Sequence, residues 1–173
     1  MYNDSFRMRY GAAPIAIYTT VDCLPTKAHI HNEIELLYIV KGSSKIQISD
    51  MYYDANAGDL FVVNPMEVHA ITMEPNLEYC HQCICFDCPM IVDQQLSAAL
   101  QDGSKSICRV FRTQENSTAA LVPLFQQLYL AVQQNSSALL FETSATISQF
   151  FAELTHRQLI CTNLQQICTE GIA

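Results

Sequence analysis

Two short segments of this chain carry side chains of the kind that ligate cations. The first, AHIHNEIELLYIVKG, holds His29, His31 and Glu35 and then Gly42, a spacing of H-x-H-x3-E-x6-G. On one β-strand those three side chains share parity and project from one face, because side-chain direction alternates with period two. Two imidazoles and a carboxylate converging on one face suit a divalent metal. The second segment, GDLFVVNPMEVHAI, supplies Gly58, Pro65 and His69. A neighbouring strand could bring His69 in as a fourth ligand. Metal held this way needs neutral imidazoles and an ionised Glu35, so occupancy should fall as the pH drops towards about six. Three readings stay open: an exposed polar strand face, a site for an organic effector without metal, and a site for zinc, nickel, manganese or iron.

A second cluster invites a metal reading and resists it. Cys80, Cys83, Cys85 and Cys88 read C-x-x-C-x-C-x-x-C. A zinc knuckle needs the chain to turn inside each C-x-x-C so that both sulfurs face one ion. The intervening residues are His81-Gln82 and Phe86-Asp87, with no glycine, and Ile84 and Phe86 alternate with Cys83 and Cys85 as on a strand. Cys80 and Cys83 would then point to opposite faces. The stretch reads as a strand, not as a four-cysteine site.

The elements that must position these groups follow from periodicity. Residues 15–20, 34–42, 44–49, 58–64, 69–74 and 77–86 are short runs rich in β-branched and aromatic residues. Turn signals separate them at Lys41-Gly42-Ser43, Asp54 to Gly58, Asn64-Pro65 and Glu74-Pro75-Asn76. Such regular spacing predicts a closed antiparallel sandwich or barrel. Beyond Asp87 the pattern changes, with a short helix expected over 89–100 and one further strand over 106–113. Leu121, Leu124, Phe125, Leu128 and Val132 then recur at helical spacing, as do Leu140, Thr143, Ile147, Phe150, Phe151 and Leu154. Asn135-Ser136-Ser137 breaks the two helices and offers a cap for the second. Pro123 should start the first helix near residue 122 or kink it. The doubled apolar positions Leu139-Leu140 and Phe150-Phe151 are wider than one stripe needs, leaving apolar surface for a second copy.

Composition bounds the function. The 173 residues suffice for one compact domain, and half are hydrophobic. Nine Lys and Arg stand against 17 Asp and Glu, a net charge of −8. An acidic chain without a basic run is a poor nucleic-acid binder, because neutralising phosphate supplies most of that affinity. The N-terminus has no signal-peptide core, and no apolar run reaches membrane-spanning length. A cytoplasmic protein is expected, with its eight cysteines reduced and mostly serving as small apolar fillers.

The His29/His31/Glu35/Gly42 spacing resembles the first motif of the cupin superfamily, whose small β-barrels carry metal or ligand in the lumen. The second segment departs from the cupin pattern: Glu67 stands where cupins favour Gly, and the Pro65-to-His69 gap is one residue short. That shorter form, followed by LEYCHQCICFD, resembles the sensor domains of AraC-type transcription regulators. The resemblance covers nearly the whole chain. It implies a mainly β fold: a cupin-like antiparallel barrel or jelly roll over residues 1–113 with an N-terminal arm, then a helical dimerisation segment over 114–173.

By the same resemblance, residues 80–86 form the last barrel strand, with His81, Cys83 and Cys85 on one parity. The implied ligand-binding residues are His29, His31, Glu35, His69, His81 and Cys83, the first four also as metal ligands. The implied ligand is a small-molecule effector such as a sugar, although a chain without Trp would have to stack a sugar on Tyr or Phe. DNA would be read by a helix-turn-helix region that this chain does not contain, and the expected unit is a non-enzymatic homodimeric sensor. The competing class is a metal-dependent cupin enzyme, a dioxygenase or isomerase, built on His29, His31, Glu35 and His69. The shortened second motif and the long helical tail speak against it.

Overall fold

A computed structural model describes residues 8–9, 14–21, 25–72 and 78–162. Nine strands come first: β1 (Met8–Arg9), β2 (Ile15–Val21), β3 (Thr26–His29), β4 (Ile34–Lys41), β5 (Ser43–Ile48), β6 (Met51–Asn56), β7 (Leu60–Val63), β8 (His69–Thr72) and β9 (Cys80–Phe86). Helix α1 (Gln94–Gln101), strands β10 (Lys105–Ile107) and β11 (Val110–Phe111), helices α2 (Asn116–Gln134) and α3 (Leu139–His156), and strand β12 (Ile160–Thr162) complete the described chain. The larger sheet has the order β1-β2-β9-β4-β7-β11, a smaller one β3-β8-β5-β6, and β10 pairs only with β12. Every pairing is antiparallel.

The large sheet is covered on both faces, which explains why β4 is buried over Ile34–Leu37 without alternation. Leu37, Ile39, Phe61 and Val63 point one way and pack with Ile46, Ile48, Ala55 and Ile71 of the small sheet. Ile34, Leu36, Val62, Ile84 and Phe86 point the other way and pack with Leu121, Phe125, Ile147, Phe150 and Phe151 of the helices. Phe125 sits 5.6 Å from the Tyr38 ring, and Phe151 meets Phe86 edge-on at 6.5 Å. Burying each such ring contributes roughly 1.5–3 kcal/mol. By contrast β5 alternates, with Ser44, Ile46 and Ile48 inside and Ser43 and Lys45 outside, because only one of its faces meets the core.

Gly42 turns β4 into β5 with φ +80°, and a Cβ there would come within 2.1 Å of the Glu78 carbonyl oxygen. Both the left-handed backbone and the close approach demand glycine.

The structure corrects several sequence expectations. Residues 51–56 form β6, which takes in the first half of the turn expected over 54–58 and leaves residues 57–58 as the turn, and β3 was not foreseen. The expected strand over 106–113 is two: β10 pairs β12, whereas β11 pairs β7. Between them the Asn64 side chain brackets Ile107, accepting from its N–H at 2.7 Å and donating to its carbonyl at 3.0 Å. The short helix starts at Gln94, capped by Asp93, whose carboxylate accepts from the N–H of Gln95 and Leu96. Helix α2 starts at Asn116 and runs through Pro123. The proline forfeits one backbone bond to Ala119, and burial of Leu121, Phe125 and Leu128 on the sheet outweighs that loss. Asn135 closes α2 in the left-handed conformation with φ 47° rather than capping α3. Phe150 and Phe151 are both buried in the chain's own core, so that doublet leaves no spare surface; Leu130, Leu140 and Phe141 are the exposed large apolar residues of α2 and α3. The turn at 74–76 and the N-terminal arm, apart from the short β1, lie outside the described residues.

Candidate metal and effector site

His29 ends β3, His31 lies in the connection to β4, and Glu35 is the second residue of β4. The three do not ride on one strand as the spacing suggested. Instead the chain crosses from the small sheet to the large one between them, and that corner folds the imidazoles over the carboxylate. The β3–β8 register then sets His69 directly opposite His29. The ring centroids of His29 and His69 are 4.0 Å apart, and those of His31 and His69 are 4.8 Å apart. One donor atom from each of His29, His31, Glu35 and His69 lies within 4.8 Å of all the others.

The imidazoles are oriented by backbone. Nδ1 of His29 meets the Lys27 carbonyl at 2.8 Å, Nδ1 of His31 the Glu33 carbonyl at 3.1 Å, and Nδ1 of His69 the Glu67 carbonyl at 3.0 Å. A carbonyl oxygen only accepts, so each Nδ1 carries the hydrogen and each neutral ring presents a lone pair at Nε2. This is the outer-shell arrangement that fixes metal-binding imidazoles. Nε2 of His31 lies 3.0 Å from Oε2 of Glu35, and Nε2 of His69 lies 3.4 Å from the same oxygen. Ligand atoms about 2.1 Å from one cation stand roughly 3.0–3.4 Å apart at octahedral to tetrahedral angles. Nε2 of His69 is buried and has no hydrogen-bond partner among the described residues. A buried lone pair facing a carboxylate calls for a cation or an extra proton between them, and the residues present therefore fit a divalent metal.

The electrostatics agree. Burial would raise the Glu35 carboxyl, but the His31 and His69 imidazoles beside it hold it well below the ordinary carboxylate value. Burial lowers His69, yet the adjoining Glu35 carboxylate lifts it above the ordinary imidazole value. His29 is lowered, first by burial and then by its neighbour His69. The loop bearing His69 is braced by Glu67, which accepts from the Asn64 N–H at 3.0 Å and pairs with Arg109 at 2.6 Å. Glu67 thus has a structural task at the position where the cupin pattern favours Gly.

His81, Cys83 and Cys85 lie on β9 opposite Ile39, Leu37 and Glu35 of β4, on the tetrad's side of the sheet. All three are buried, and burial brings His81 down to about 4, so it is neutral near pH 7. Cys85, absent from the sequence-derived site, approaches Oε2 of Glu35 at 3.5 Å. Its parity with His81 and Cys83 was visible in the sequence, whereas its register against Glu35 was not. Glu33 also reaches the cluster, with its carboxylate 3.7 Å from Nδ1 of His31. No group of potential metal ligands among the described residues includes Cys80 or Cys88, in line with the strand reading of the cysteine run.

Two facing antiparallel sheets thus carry the His/His/Glu/His cluster, with helices packed on the other face of the larger sheet. The chain belongs to the family of AraC-like ligand binding domains, whose family model matches residues 15–155. Solved structures similar to it include a cupin protein from Bacteroides fragilis at 20% identity, covering 42% of this chain and 63% of that one with a TM-score of 0.36. A cupin 2 conserved barrel domain protein from Rhodopseudomonas palustris is 14% identical over 45% of this chain and 55% of that one, with a TM-score of 0.39. Oxalate decarboxylase from Bacillus subtilis, described with Mn(II) centres, is 18% identical over 53% of this chain and 29% of that one, also with a TM-score of 0.39. Each match spans less than two thirds of the other protein. No curated protein matches the sequence. Among the described residues no helix is long and apolar enough to cross a membrane.

Proposed function

We propose that this chain is the effector-sensing and dimerisation part of an AraC-type transcription regulator. In this reading residues 1–113 bind a small polar molecule such as a sugar, and residues 114–173 pair with a second copy. The observation that carries it is the convergence of three backbone-oriented imidazoles on the buried Glu35 carboxylate, in a chain of the AraC-like ligand-binding family. His29, His31, Glu35 and His69 would hold a divalent metal, which when bound supplies a Lewis-acidic contact for hydroxyl or carboxylate oxygens of an effector. His81 and Cys83 would line the same space, neutral His81 serving as a hydrogen-bonding group rather than a charge.

Occupancy would act by favouring one arrangement of sheets and helices, which requires contacts that differ between two states. With a net charge of −8, DNA would be read by a separate domain. Leu130, Leu140 and Phe141, at 50%, 54% and 82% exposure, would supply apolar surface to the dimer.

The test begins with elemental analysis of protein purified without chelator or a metal-affinity column. A thermal-shift screen of sugars and hydroxy acids follows, on metal-loaded and metal-free protein and on His31→Ala. Saturable stabilisation by one class of molecule, lost in His31→Ala, is expected. Steady turnover of such a molecule by the metal-loaded protein would replace the sensor reading with the enzymatic one.

A further inference from the structure

Beside the imidazoles, β9 places two thiols that the tetrad leaves unused. Cys83 and Cys85 are buried and alternate on the face of β9 that meets Leu37 and Glu35 across β4. Their Sγ atoms are 3.8 Å apart, and Sγ of Cys85 is 3.5 Å from Oε2 of Glu35. The donor atoms of Cys83, Cys85 and Glu35 all lie within 4.8 Å of one another.

Those distances match coordination. Two thiolates at about 2.3 Å from one tetrahedral zinc stand about 3.8 Å apart, and a thiolate with a carboxylate oxygen at about 2.1 Å stands about 3.6 Å from it. A disulfide is the poorer account. Residues i and i+2 of an extended strand are about 6.6 Å apart at Cα, near the limit that a disulfide can span. Filling the core with small apolar side chains would not require a carboxylate at ligand distance.

We propose that Cys83, Cys85 and Glu35 form a second, sulfur-bearing cation subsite for a thiophilic divalent ion such as zinc or cadmium, sharing Oε2 of Glu35 with the imidazole cluster. On binding, each thiol releases its proton to solvent and gives an electron pair to the ion, with no change of oxidation state. A tetrahedral ion keeps one further position. Because one carboxylate oxygen serves both subsites, a soft ion on the sulfur side changes the affinity of the imidazole side for a hard one. The domain thereby distinguishes soft from hard cations. This inference goes beyond the effector reading and holds whether or not a sugar or acid binds.

The experiment titrates metal-free, reduced protein with Co(II) under anaerobic conditions and records the thiolate-to-cobalt charge-transfer absorption. A strong near-ultraviolet band saturating near one equivalent is expected in the wild type, in His31→Ala and in a Cys108→Ser/Cys161→Ser control, which removes the other pair of close sulfurs, 3.9 Å apart. The band should vanish in Cys83→Ser/Cys85→Ser. No band in the wild type, or one persisting in Cys83→Ser/Cys85→Ser, overturns the proposal. A band lost in His31→Ala would mean a single mixed site and also overturns it. X-ray absorption of the zinc-loaded wild type needs no variant: two sulfur scatterers near ~2.3 Å are expected, and their absence refutes the subsite.

Discussion

Replacing Glu35 by Gln removes the charge on which the cluster converges while keeping the shape of the side chain. In the metal-free protein the cost at pH 6 should be moderate, because His69 can become neutral once its partner is gone. Hydrogen bonds to a charged group contribute about 1.5–3 kcal/mol. For a chain of this size each kcal/mol moves Tm by about 2–4 °C, so Glu35→Gln should lower Tm by roughly 3–12 °C. The pH dependence carries a sign. Glu35 is held well below its unfolded value, so its contribution is present above about pH 4.3 and lost as the pH falls through the folded value. His69 is raised, so its contribution is present below about pH 6.5 and lost as the pH rises through the folded value. The metal-free pair is therefore strongest between about pH 4.5 and 6.5, and Glu35→Gln should flatten the Tm profile there. Metal binding runs the other way, since it needs neutral His69, and the stabilisation it gives should grow from pH 6 to pH 8. At a hundredfold excess over Kd, Ni(II) or Mn(II) stabilises by about 2.7 kcal/mol, which is roughly 5–11 °C in the wild type. Glu35→Gln should show almost none of that shift. A full metal-induced shift in Glu35→Gln, measured by calorimetry at pH 7.5, would refute the tetrad as the binding site.

Other outcomes follow from the same geometry. Leu140→Ser/Phe141→Ser should convert the proposed dimer to a monomer at micromolar concentration, read by light scattering, with Tm within a few degrees of wild type because both side chains are exposed. Phe125→Ala should cost about 3–5 kcal/mol through the cavity it leaves between α2 and the large sheet, lowering Tm by roughly 6–20 °C. Metal affinity of that variant, by isothermal titration, should stay within about threefold, because the site lies on the opposite face of the sheet. Gly42→Ala should destabilise more than an ordinary exposed substitution. Its Cβ would meet the Glu78 carbonyl, so a Tm unchanged within about 1 °C would count against the left-handed turn.

The large sheet was legible because β7 is an unbroken apolar run and β4 and β9 are rich in apolar residues, each bounded by turn residues. The hairpin of β5 and β6 was not. Its two-residue turn places Ser49, not Gly or Asn, in the left-handed region with φ 55°, so the usual signal is missing. The turn-like composition of Asp54 to Gly58 then hid the end of β6, since only Ala57 and Gly58 of it turn the chain. Pro123 likewise misplaced the start of α2, because local propensity yields to the burial of Leu121 and Phe125. In the site, His29, His31, Glu35 and His69 could be named from spacing, yet the reason they meet could not. Parity along one strand was the wrong cause; the corner between two sheets and the β3–β8 register are the right one. Cys85 escaped because its partner Glu35 lies on another strand, 50 residues away, and only pairing reveals it.

The Asn64 side chain grips both ends of one chain of connection. On one side it bonds Glu67, whose carbonyl fixes His69; on the other it brackets Ile107 of β10, which is zipped to β12 just after α3. A displacement of the His69 loop therefore has no slack at this joint: either the bonds to Ile107 break, or β10 and β12 travel with it. The polypeptide leaving the last long helix is geared to the most deeply buried histidine of the candidate site.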